Sequence, residues 1–179
     1  MKAAGWQKDG SMNQEYNEMA IIMTGYAASE AALEIMERQW ETLIGRYPAN
    51  YLNRGKAQLE GDLAGKQICS ADYLEWSLGD GVFGSLWRLG EQLGCGMTIE
   101  LSAIPIRQIA IEMCDFADIS PYEAKSAGAA VLAAANAGET IEELKNAGVN
   151  AAIIGYTNNS NDRVVVNGEI RRFLNKSKG

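Results

Sequence analysis

The sequence predicts an α+β fold with a mixed or largely antiparallel sheet. Helical and strand-like stretches mix without strict β-α-β alternation, and the chain closes on Arg163 to Val166 and Glu169 to Phe173 around Asn167-Gly168, a strong short-range hairpin signal. A length of 179 residues with 47% apolar and 22% charged side chains is enough for one packed domain.

Residues 1 to 18 are polar and aperiodic and read as a loose leader. Met19 to Thr24 is a short apolar run ended by Gly25, the pattern of a buried strand. From Ser29 to Tyr47, Ala32, Met36, Trp40, Leu43 and Tyr47 recur at helical spacing, and Gly45 and Pro48 mark the end. Pro48 to Ala64 reads as a second helix weakened by Gly55 and Gly61. Gln67 to Leu78 fits neither period. Gly81 to Leu93 puts Val82, Leu86, Leu89 and Leu93 on one helical side. Met97 to Leu101 alternates as a strand does, and Pro105 opens a helix running to about Ala117. Ser120-Pro-Tyr-Glu123 has the form of a capping box with proline first, so a further short helix is expected there. Ala129 to Ala135 is a strand of small residues, Thr140 to Glu143 a second capping box, and Gly148 a helix stop. Ala151 to Tyr156 is a strand, and residues 175 to 179 form a tail expected to fray.

Composition removes several chemistries. Histidine is absent, which excludes Ser-His-Asp and Cys-His catalysis and histidine-bound zinc. The cysteines, Cys69, Cys95 and Cys114, have no C-x-x-C spacing and are too few for a four-thiolate zinc site. Their odd count and the lack of a secretory leader point to a reducing, cytoplasmic setting. A net charge of −7 opposes a phosphate backbone, so no nucleic acid is expected. The longest small-apolar run, Gly128 to Ala135, falls far short of the ~20 residues a membrane span needs, so no membrane is expected.

Two glycine-rich turns are candidates for phosphate contact. Gly79-Asp-Gly81-Val-Phe-Gly84 is a literal G-x-G-x-x-G at a helix start, with Glu100 near the distance of a ribose-binding acid. Glycine there lets backbone approach a pyrophosphate on the helix N-terminus. Tyr73 to Leu78 is a poor buried parallel strand, however, so the plainer reading is a turn into an amphipathic helix. Ser126-Ala-Gly128 is the second turn, able to cradle a phosphate through N–H groups or simply to lead into a strand. Asp72, Glu75 and Asp80 are carboxylates that could take Mg²⁺ or be merely solvated, and Glu30 suits the positive end of its helix. Cys114 falls on an apolar helix side with no base in view and reads as core.

Gly81-Val-Phe-Gly-Ser-Leu-Trp-Arg-Leu, Gly94-Cys-Gly-Met-Thr-Ile-Glu-Leu, Ile104-Pro-Ile-Arg-Gln, Cys114-Asp-Phe-Ala-Asp-Ile-Ser-Pro-Tyr, Ser126-Ala-Gly and the closing run from Asn161 to Leu174 together resemble the C-terminal domain of the aminoimidazole-ribonucleotide-synthetase superfamily. Within it the resemblance is greatest to the hydrogenase-maturation factors of carbamoyl dehydratase type, and it covers roughly residues 19 to 174. The resemblance implies a domain that, in the family, works with an N-terminal ATP-binding domain to dehydrate a thiocarboxamide to a thiocyanate. It also implies nucleotide-facing positions, which here are Glu30, Asp80, Gly81, Gly84, Ser126 and Gly128.

The match fails where the family carries chemistry. The family's H-D-x-T-E-G-G turn falls on Glu75 to Gly81, so its acidic and hydroxyl positions become Trp76, Leu78 and Gly79. Its S-S-G-S turn becomes Ser126 to Ala129, and its K-W-x-G-x-E-G-T run keeps only Glu30 cleanly. The thiolate-bearing tail of many such factors has no counterpart in Lys178-Gly179. The expectation is a degenerate, non-catalytic relative acting as a homodimer or with a protein partner. It expects no cofactor, and weak Mg²⁺-ATP binding only with a partner domain. Half of a split maturation enzyme and a phosphate or small-molecule binding module are the alternatives.

Overall fold

The computed structural model describes residues 17–64, 71–77 and 79–176. The leader's Trp6 and Tyr16, together with Cys69 and Leu78, lie outside them. Chain order is β1 (Ala20–Thr24), α1 (Ser29–Ile44), α2 (Ala49–Leu63), β2 (Tyr73–Trp76), α3 (Gly81–Leu93), β3 (Gly96–Glu100), a 3-10 turn (Leu101–Ala103), α4 (Gln108–Phe116), β4 (Ala130–Ala134), α5 (Ala137–Asn146), β5 (Ala151–Asn158), β6 (Arg163–Asn167) and β7 (Ile170–Phe173).

These strands form one seven-stranded sheet in the order β2-β4-β1-β5-β3-β6-β7. Every neighbouring pair is antiparallel except β3 with β6. The predicted α+β class with a mixed, largely antiparallel sheet is what forms.

Strand β1 lies inside the sheet between β4 and β5, and burial on both faces explains its largely apolar sequence. Ile21 and Met23 join Val82, Leu86 and Leu89 of α3 on one face. Ala20 and Ile22 join Leu132 and Leu144, the latter from α5, on the other. With both faces covered, no polar alternation is required. Helices α1, α2 and α4 pack on one another through Met36, Leu43, Leu52, Leu59, Ile109 and Met113.

Local signals were overridden at four places. Ser120 to Glu123 forms a single turn, closed by Glu123 N–H donating to the Ser120 carbonyl at 3.2 Å, and no helix follows. The Tyr122 carbonyl accepts instead from Phe83 N–H at 3.0 Å, so tertiary contact takes the acceptor a helix would use. Helix α4 starts at Gln108, three residues after Pro105, because the Pro105 carbonyl accepts from Ala27 N–H and Ile106 bridges Ala27. Helix α5 is capped by Asn136, whose side chain accepts from Glu139 N–H and donates to its carboxylate, while Thr140 lies inside the helix. In the last hairpin Asn167 pairs with Ile170, so the turn is Gly168-Glu169, one residue later than expected.

The unassigned stretch before α3 contains β2, an edge strand antiparallel to β4. Among the described residues no helix is long and apolar enough to cross a membrane.

Candidate functional site

The residues connecting α4 to β4 form a hub on which the candidate turns meet. At one side is the start of α1. Ser126 Oγ accepts from Ala28 N–H at 2.7 Å and donates to the Ala124 carbonyl at 2.8 Å. The Lys125 carbonyl accepts from Ala31 N–H at 3.1 Å. Glu30 Oε2 accepts from Ala127 N–H at 3.3 Å, which uses one carboxylate oxygen on the turn itself. Lys125 Nζ donates to Glu34 at 2.8 Å, and this hydrogen bond holds the Glu34 carboxyl below its ordinary value.

At the other side is the start of α3. Gly81 has φ +67°, and a Cβ built on it would lie 2.6 Å from the Tyr122 carbonyl oxygen and 2.7 Å from that of Ala124. Phe83 stacks on Tyr122 at 5.4 Å between ring centroids. Ser77 N–H donates to the Ala129 carbonyl at 3.0 Å, and its hydroxyl lies 3.2 Å from that of Ser85. Gly128 has φ +83° and meets the Asp62 carbonyl oxygen, 2.6 Å from where a Cβ would sit. Both glycines are explained by backbone hand and by close approach of the protein's own chain.

Asp80 precedes α3, yet its side chain does not cap the helix. One oxygen accepts from Arg88 Nη1 at 2.5 Å, and the other is buried without a hydrogen-bond partner among the described residues, with Gly84 leaving room for the carboxylate. The positive N-terminal end of α3 favours the negative charge there. Arg88 also donates to Glu75 at 3.1 Å and to the Trp76 carbonyl at 3.0 Å. Glu75 and Asp80 therefore share a guanidinium, and Asp72 is exposed. Among the described residues no group of three or more Cys, Asp or Glu side chains could hold a metal ion.

The dinucleotide reading fails on topology. Strand β2 is antiparallel to its neighbour and far across the sheet from β3. Met97 and Ile99 of β3 face the α3 cluster, so the alternation turns Glu100 to the opposite face.

A cluster that sequence reading missed lies beside Gly128. Arg107, just before α4, donates to the two Asp62 oxygens at 3.0 and 2.9 Å, and its guanidinium sits 3.8 Å from the Tyr26 ring centroid. Hydrogen bonding to Asp62 raises the Arg107 pKa above its ordinary value. These residues line a cavity of about 310 Å³ with Gly128 and Asn150. Asp62 and Arg107 are 45 positions apart, so no local pattern joins them; the only signal was Arg107 within the Ile104 to Gln108 run.

No family model matches the chain, and no curated protein matches it. Solved structures do. E. coli HypE, a hydrogenase maturation protein, superposes with a TM-score of 0.67 at 18% identity, covering 98% of this chain and 53% of that one. The chain has the HypE fold. A chain of the HypE-HypF complex gives 0.64 at 17%, with coverages of 92% and 54%. The thiamine-monophosphate kinase of Stenotrophomonas maltophilia gives 0.53 at 11%, with coverages of 84% and 50%. The chain thus spans about half the length of each, and at these identities the likeness is one of fold.

Proposed function

We propose that this chain corresponds to the C-terminal half of the HypE fold and acts through protein contacts, as a homodimer or with a partner, without ATP chemistry of its own. The observation that carries this reading is the commitment of the candidate turns to internal bonds. Ser126 uses its hydroxyl on Ala28 and Ala124, Glu30 takes Ala127 N–H, and Asp80 is paired with Arg88. Mg²⁺-ATP needs oxygen ligands and charge stabilisation that converge on the phosphates. Asp80 and Glu75 converge on Arg88 instead, and Glu30 on a backbone N–H. The HypE fold met in complex with HypF supports a surface suited to protein contact.

Titration calorimetry with Mg²⁺-ATP and light scattering on a size-exclusion column test the reading. The expected dissociation constant is about millimolar or weaker, near −4 kcal/mol, from backbone N–H groups alone. The expected mass is that of two chains, or of one chain with a co-purified protein from its own host. Low-micromolar ATP binding, or a lone monomer in both preparations, overturns it.

A further inference from the structure

Among the described residues the sheet ends at β7, Ile170 to Phe173, which pairs with β6 on one side and forms the edge. Leu174 N–H donates to the Arg163 carbonyl at 2.8 Å, which sets the phase of the ladder. Antiparallel pairing alternates, so the residues bonded to β6 are Leu174, Arg172 and Ile170. Arg171 and Phe173 therefore turn their N–H and C=O groups away from the sheet, as a template for another strand. The side chains there are not those of an idle edge. Ile170 is 56% exposed and Phe173 67%. Alongside runs a groove of about 500 Å³, lined by the Phe83-Tyr122 stack, Leu101, Ile170 and Arg172.

We propose that this edge takes up an extended acidic segment of another protein as an eighth strand. The proposal deepens the protein-contact reading above by naming the partner's chemistry. Charge decides the occupant. Two copies of β7 paired about a two-fold centred on the strand would set Arg171 or Arg172 opposite its own copy, which is repulsive. A strand reading apolar-acidic-acidic-apolar places its carboxylates against Arg172 and Arg171 and its apolar residues against Phe173 and Ile170. The same arginines thus repel a like edge and select an acidic one. Main-chain hydrogen bonds supply affinity and the groove supplies side-chain selection.

The test uses the full chain and a fluorescein-labelled peptide with a Val-Glu-Glu-Val core flanked by threonines. A peptide with lysine at both glutamate positions is the control. Fluorescence anisotropy should show the acidic peptide binding at least tenfold tighter than the control, with the preference shrinking as salt rises. Hydrogen exchange at Arg171 and Phe173 should slow on binding. Arg171→Pro removes an outward N–H without touching the β6 ladder, and proline is tolerated on an edge. It should abolish binding with unchanged circular dichroism. Should that variant misfold, the double variant Arg171→Glu, Arg172→Glu decides, because it should prefer the lysine peptide. Equal binding of the two peptides, or acidic binding that survives Arg171→Pro, overturns the proposal. If it fails while light scattering still finds a dimer or a co-purified protein, the contact reading stands and only this strand is wrong.

Discussion

The Ser126 hydroxyl accepts the backbone N–H of Ala28 at 2.7 Å, joining positions 98 residues apart. Ala28 has φ +60°, a left-handed conformation that an alanine adopts only at a cost. It precedes α1 with no side-chain cap of its own, so Ser126 satisfies an N–H that would otherwise be buried and unpaired. The serine that resembles part of a phosphate turn thus fastens the start of α1 to the α4–β4 connection.

Ser126→Ala should accordingly lower stability by about 1–3 kcal/mol, the cost of a buried unsatisfied donor. Urea denaturation measures it. A change below about 0.3 kcal/mol, within ordinary surface-mutation scatter, would mean that the bond contributes nothing.

Gly81→Ala and Gly79→Ala separate a glycine that close packing requires from one with open space around it. Gly81 combines positive φ with backbone oxygens at 2.6 and 2.7 Å, whereas a Cβ on Gly79 meets nothing within 4 Å. The first substitution should cost about 2–4 kcal/mol and the second less than about 0.5. Thermal melts of both variants check the contrast; equal effects would sink it.

Sequence periodicity captured what is set locally. The Val82, Leu86 and Leu89 stripe of α3 and the apolar run of β1 are legible because burial on a fixed face writes a repeat into the chain. The Ser120 box misleads because its turn is finished by Phe83 N–H and the Gly81 backbone, which no local window contains. Thr140 misleads for a plainer reason: Asn136, four residues earlier, already makes the cap with Glu139. At the site, Glu30, Asp80 and Ser126 could each be singled out by type. The partners of Glu30 and Ser126, Ala127 and Ala28, depend on the sheet order that brings distant turns together, whereas Arg88 lies only eight residues from Asp80 on the helix that Asp80 precedes.

The Asp62-Arg107 fork ties the end of α2 to the approach to α4. The Asp62 side chain is 8% exposed and that of Arg107 31%. Asp62→Ala leaves a guanidinium that can still reach water, so the loss should be about 2 kcal/mol, below the 3–5 typical of a fully buried pair. Arg107→Lys keeps the charge but loses the two-pronged geometry and the flat contact with Tyr26, and should cost about 1 kcal/mol. Chemical denaturation of the two variants measures both, and a larger loss in the lysine variant would contradict the ordering.

Cys114 gives a pH-dependent prediction. It is fully buried in the α1-α2-α4 cluster, and burial pushes its thiol from the ordinary 9.0 up to about 11. Between those two values the unfolded chain has released the proton while the folded one keeps it. The folded state then binds more protons, so the Cys114 contribution to stability is whole below pH 9.0 and is lost as pH rises through about 11. Cys114→Ala should flatten the fall of melting temperature across that window, even though it lowers the temperature at neutral pH by creating a small void. In the folded protein at pH 8, iodoacetamide should leave Cys114 unmodified, with labelling appearing only in denaturant. Rapid native labelling at Cys114, read by peptide mass spectrometry, or an alkaline slope unchanged in the alanine variant, would show that the thiol is not held neutral by the core.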